Sequence, residues 1–106
     1  MNDQSSDFDI QIEELSDTRT DEPPMYRVVL YNDDFTPRAF VVEILVTLFH
    51  KGLAEATELM WRVHQGRRGV AGIYPREIAE TKVAVVTALA RENGYPLKTT
   101  MEPDEA

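Results

Sequence analysis

At 106 residues, with 42% hydrophobic side chains and no cysteine, the chain has room for one modest core. It holds neither a disulfide scaffold nor a thiolate metal site, and the missing cysteine suits a reducing compartment. Its net charge of -8 is lopsided: residues 1–24 carry eight acids (Asp3, Asp7, Asp9, Glu13, Glu14, Asp17, Asp21, Glu22) against Arg19 alone, leaving the rest close to neutral at -1. Neither part has a basic excess to neutralise phosphates, so nucleic acid is not an expected partner.

The start, MNDQSSDFDI, lacks a basic, apolar signal region. The longest strongly apolar run, Phe40 to Phe49, contains Glu43 and is too short to span a bilayer. A soluble, cytoplasmic protein without membrane association is therefore expected. Residues 1–24 have few large apolar side chains and no sustained period, and read as a disordered acidic arm ending at Pro23-Pro24. MYRVVLY, residues 25–31, is rich in β-branched and aromatic residues and reads as a strand. NDDF is the turn that follows, with Thr36 expected as the N-cap and Pro37 as the first residue of a helix reaching about His50.

Phe40, Val41, Ile44, Leu45, Leu48 and Phe49 recur at helical spacing in that segment. Lys51-Gly52 is expected to close it, Gly52 supplying the left-handed residue. A second helix is expected from Leu53 to about Gln65, then a basic pair, Arg67-Arg68, between Gly66 and Gly69. GVAGIY reads as a short strand, with Gly72 marking a close backbone approach or a bulge. Pro75 opens a third helix that stops at Gly94. Ile78, Val85, Val86 and Leu89 are expected on its buried side; Glu77, Glu80, Lys82 and Arg91 are expected nearer water.

PLKTTMEP reads as a third strand before an acidic tip at 103–106. The order β-α-α-β-α-β predicts an α+β domain over 25–102, a small three-stranded antiparallel sheet with three helices packed on one face. No long apolar surface is left unassigned, which predicts a monomer.

Three groups of residues bear on chemistry. In the turn, Asn32, Asp33 and Asp34 either close the loop and cap the next helix, or present an amide oxygen and a carboxylate to a cation. In LMWRVH, Met60, Val63 and His64 share one helical stripe, which reads either as core with a histidine at its edge or as an apolar pocket with one polar rim group. On the third helix, Glu77, Glu80 and Lys82 form either a solvated face or a docking surface. His50, His64, Asp33 and Asp34 are the only candidate metal ligands, without HxxxH or HxxE spacing, so no metal or cofactor is expected. A hydrolase built on Asp33, Asp34 and His64 is the reading from another class. It lacks a nucleophile elbow, phosphate loop or oxyanion signature, so binding is preferred to catalysis.

VLYNDDFTPRAFV, then ATELMWRVH, GIY, AETKVAVV, AREN and PL together resemble the ClpS family, over roughly Met25 to Met101. These are non-catalytic adaptors that bind N-degron substrates beginning with Leu, Phe, Tyr or Trp. They deliver them to the unfoldase hexamer ClpA or ClpC for degradation by ClpP. The resemblance implies that Asn32, Asp33 and His64 take the substrate's α-amino group, and that Asp34 and Thr36 shape the loop. It further implies that Val41, Met60, Val63 and Leu97 line the side-chain pocket, that Glu77 and Lys82 face the unfoldase, and that the acidic arm is engaged by it. Arg38 departs from the family pattern, standing at the pocket mouth where well-known members carry Met.

Overall fold

The structure is a computed structural model that describes residues 23–105. The expected arm of residues 1–24 lies outside these residues except for Pro23 and Pro24, both exposed. In chain order the elements are β1 (Met25–Tyr31), α1 (Arg38–Thr47), α2 (Leu53–Gly66), β2 (Arg68–Pro75), α3 (Arg76–Glu92) and β3 (Lys98–Pro103). The sheet has strand order β2-β1-β3, with β1 antiparallel to both neighbours. The expected α+β architecture is present.

β1 occupies the centre because its residues suit burial: Val28, Val29 and Leu30 are fully enclosed. Strand alternation turns Val28 and Leu30 to the helices, where they join the main core. Each such side chain contributes about 1.5–3 kcal/mol. The pairing of β1 with β2 slips by one residue between Val28 and Val29, which leaves Ala71 as the extra residue of a bulge beside Gly72. Gly72 also permits a close approach: a Cβ there would run into the ring of Tyr74.

Several local expectations give way to tertiary contacts. Pro37, not Thr36, is the N-cap of α1, with φ -62° and ψ 141°. The Thr36 hydroxyl donates instead to Asp33. The regular helix ends at Thr47, short of His50. His50 takes the left-handed conformation (φ 57°) expected of Gly52, while the N–H of Lys51 donates to the carbonyl of Leu45 at 3.0 Å. Gly52 begins the next helix as its N-cap, at φ -68° and ψ 160°. The short turn must release α2 at once to pack on α1, which leaves no length for a separate glycine closure. Gly94 closes the third helix with φ 75°, as expected.

The buried stripe of α3 is Ala79, Val86 and Ala90, with Val83 packed beside it. Ile78 and Val85, expected inside, are 47% and 39% exposed. The small alanines let α3 lie close against the sheet, and that orientation rotates the two larger side chains outward. Beyond β3, Asp104 donates its N–H to the Met25 carbonyl at 2.8 Å and faces Arg27 at 3.6 Å, so the tip is tied back to β1 at its start.

Candidate functional site

The turn after β1 is organised by one side chain. Asp33 Oδ1 accepts the N–H groups of Phe35 (2.8 Å) and Thr36 (2.7 Å), and Oδ2 accepts the Thr36 hydroxyl (2.8 Å). Burial pushes the Asp33 carboxyl up. The Thr36 hydroxyl, the two N–H groups and the charge of Arg91 together outweigh it and hold the group below the ordinary carboxylate range. Asp33 is therefore an ionised loop organiser. The turn reading and the ligand reading of this residue are compatible, since a carboxylate has more acceptor sites than these bonds fill.

Asn32 is fixed from the other side. Its N–H donates to the carbonyl of Arg67 at 2.8 Å. Arg67 presents that carbonyl from a left-handed conformation (φ 73°) at the end of α2. The basic pair thus has a structural part to play. Arg67 docks the loop, and Arg68 grips Glu102 through both carboxylate oxygens at 2.9 Å. The side chains of Asn32 and His64 make no hydrogen bond to other described residues, and His64 meets Trp61 edge-on at 5.7 Å between ring centroids.

Asn32, Asp33, Thr36, Arg38, Val41, Met60, Val63, His64 and Leu97, with Tyr31, line one pocket. It unites the end of β1, the turn, α1, α2 and the segment before β3. Val41, Met60, Val63 and Leu97 are all buried and form its apolar wall. The recess is a small slot, with about 260 Å³ of empty space counting its open mouth. Asp34 is exposed and stands outside this lining.

Glu77 and Lys82 lie elsewhere, in a more open groove with Leu48, Ile78, Thr81 and Val85, about 640 Å³ counting the solvent-open space before it. Lys82 does not simply face water. Its ammonium donates to the carbonyl of Leu48 and sits 5.7 Å from the Phe49 ring centre and 5.5 Å from that of Tyr74. Glu77 is exposed, and Arg76 pairs with Glu80 one turn on at 3.8 Å.

Sequence reasoning gave Tyr31 and Trp61 no role and Arg91 only a place nearer water. Arg91 donates to the carbonyls of Tyr95 (2.7 Å) and Leu97 (3.3 Å), which pins the segment that carries Leu97 into the pocket. A basic residue in the last turn before Gly94 was the available signal. Nothing local marks Trp61 as lying beside the pocket.

A carboxylate-ordered polar loop beside an apolar slot, on a small α+β body, has the chemistry to receive a ligand with a cationic group next to an apolar one. The model of the ATP-dependent Clp protease adaptor protein ClpS family matches residues 21–100. The chain is 56% identical over 82 residues to the ATP-dependent Clp protease adapter protein ClpS of Desulforapulum autotrophicum, covering 77% of this chain and 79% of that one. It is 51% identical over 90 residues to that of Desulfotalea psychrophila, covering 85% and 88%. The solved structure of Agrobacterium tumefaciens ClpS2 bound to L-phenylalaninamide superposes with a TM-score of 0.75 at 38% identity, covering 78% of this chain and 100% of that one. The chain belongs to the ClpS family, whose members are adaptors of a Clp protease.

Proposed function

We propose that this domain captures N-degron substrates by their free N-terminus and delivers them to the unfoldase hexamer ClpA or ClpC for degradation by ClpP, itself performing no catalysis. The observation that carries the reading is the joining, in one pocket, of the polar trio Asn32, Asp33 and His64 to the buried wall Val41, Met60, Val63 and Leu97. The relative whose structure holds L-phenylalaninamide, a free amine next to an aromatic side chain, supports the same ligand chemistry.

The Asn32 amide oxygen, the Asp33 carboxylate and an unprotonated nitrogen of His64 accept from the α-ammonium. Charge-assisted bonds of this kind contribute about 1.5–3 kcal/mol each. An internal peptide nitrogen offers one N–H and no charge, so only a chain start satisfies the trio. The side chain of Leu, Phe, Tyr or Trp enters the slot and gains about 1.5–3 kcal/mol from burial. Asp34 and Thr36 shape the loop.

Glu77 and Lys82 belong to the surface offered to the unfoldase, and the acidic arm, residues 1–24, is the segment it engages. The adaptor acts as a cytoplasmic monomer with a core domain over 25–102, and neither cofactor nor metal enters the proposed cycle. Fluorescence anisotropy with peptides beginning Phe, Leu, Ile or Met, each with a free or an acetylated amine, tests this. Tight binding of the Phe and Leu peptides only with a free amine is expected. Equal binding of the acetylated peptides would remove the N-terminal clamp and leave the α3 groove as the site of interaction.

A further inference from the structure

Arg38 opens α1 and lines the pocket at its mouth. Its guanidinium carbon stands 5.1 Å from the centre of the Trp61 ring, a distance at which a cation is drawn to an aromatic face. Trp61 comes from α2 and is 42% exposed, an unusual outlay of a large ring that the core does not use. Its other neighbour is His64, one of the polar trio, at 77° between ring planes. Arg38, Trp61 and His64 therefore form a row joining the mouth to the amine end of the pocket.

Stacking occupies one flat side of a guanidinium and leaves its in-plane N–H fork open. Among the described residues no carboxylate pairs with Arg38, Arg67 or Arg91, whereas Arg62, Arg68 and Arg76 each have one and Arg27 has two. The start of α1 has no acidic residue in its first turn and no side chain capping it, so the partial positive charge of a helix start adds to the same corner. A cation held by an aromatic platform at the exit of a pocket, with no carboxylate in direct contact among the described residues, can receive an anionic group on the ligand.

We propose that Arg38, held on Trp61, is a specificity subsite for the second residue of the substrate, favouring Glu or Asp there and disfavouring Lys or Arg. This rests on the N-terminal reading above. With the amine at Asn32, Asp33 and His64 and the first side chain in the slot, the next Cα lies about 3.8 Å further along the chain. In an extended peptide its side chain points away from the slot, out toward the rim. Arg38 and Trp61 stand at that rim. The contact is open to water on one side, so its effect is one of selection among substrates and not of capture.

The test uses the full chain and three labelled peptides that share every residue but the second: Phe-Glu, Phe-Gln and Phe-Lys, each with a free amine. Phe-Glu is expected to bind about fivefold more tightly than Phe-Lys at low salt, the gap closing as salt is raised. Arg38→Gln should collapse that gap, read as the ratio of Phe-Glu to Phe-Lys affinity within the variant so that any general change in pocket affinity cancels. Trp61→Leu, which keeps the charge but removes its platform, should retain a reduced gap, read as the same ratio within the variant. A full gap in Trp61→Leu would overturn the positioning role of the ring. Equal affinity for Phe-Glu and Phe-Lys in the original chain, with free-amine binding intact, would overturn the subsite alone. No binding of any of the three would overturn the N-terminal reading and the subsite with it.

Discussion

The two concave regions of this molecule are built in opposite ways. The loop pocket is narrow, walled by four buried side chains from separate parts of the chain, and rimmed by a turn that Asp33 ties together through three hydrogen bonds. The α3 groove is wide and shallow, lined by exposed Ile78 and Val85 and by exposed Glu77, with Lys82 drawn back onto two aromatic rings. Enclosure on several sides fixes where each atom of a small ligand must sit, which suits recognition of a chain end. An open apolar strip on one helix recognises by area and by charge at its edges, which suits a folded partner.

Substitutions in the two regions should separate along the same line. The largest effect is expected from Met60→Ala, which deletes a nearly buried side chain from both pocket wall and core. It should cost about 2–5 kcal/mol in chemical denaturation and weaken peptide binding in anisotropy. Unchanged stability would mean that Met60 belongs to the pocket alone. Asp33→Ala comes next. It strips the acceptor from three hydrogen bonds, so a loss of about 1–3 kcal/mol in stability should accompany loss of peptide binding. A binding defect without any fall in melting temperature would show that the loop does not need this carboxylate.

In the groove, Glu77→Arg should leave peptide affinity within about twofold and stability within about 0.5 kcal/mol, because the side chain is exposed. Delivery to the protease, read as degradation of a substrate beginning with Phe, should fall. A matching loss of peptide affinity would join the two regions into one site.

The smallest effect concerns acid. The folded carboxyl of Asp33 lies below its ordinary value, so the ionised form is the one the folded state favours. Its contribution is complete above the unfolded value of about 4 and is lost as pH falls through the folded one. The Thr36 hydroxyl is the strongest of the groups that lower it. The melting-temperature gap between the original chain and Thr36→Val should therefore narrow when pH is taken from about 6 to about 3. A gap that stays constant would assign the Thr36 contribution to packing.

The pocket set, Leu97 above all, was implied only by the resemblance to the ClpS family; the polar turn, the strand before it and the helical stripes were legible in the sequence itself. Each is announced by local signals: β-branched runs, Asx residues beside a proline, apolar side chains three and four apart. The position of His64 one residue after Val63 was enough to bring a polar group to the edge of an apolar stripe. The same local signals misjudged Thr36, Gly52, Ile78 and Val85. Thr36 has the chemistry of a cap, but Asp33 competes for its hydroxyl and wins with three bonds at once. Ile78 and Val85 are apolar enough for a core, yet two alanines let α3 settle closer to the sheet by turning them outward.

The amino-acid order by itself determined the elements and their sequence along the chain, because periodicity and turn chemistry act over a few residues. Only the tertiary structure decided which side chains meet across elements: Arg38 with Trp61, Arg91 with the Leu97 segment, Arg67 with Asn32, Lys82 with Phe49 and Tyr74. Those encounters depend on how far each helix rolls against the sheet, which is set by the summed packing of the whole core.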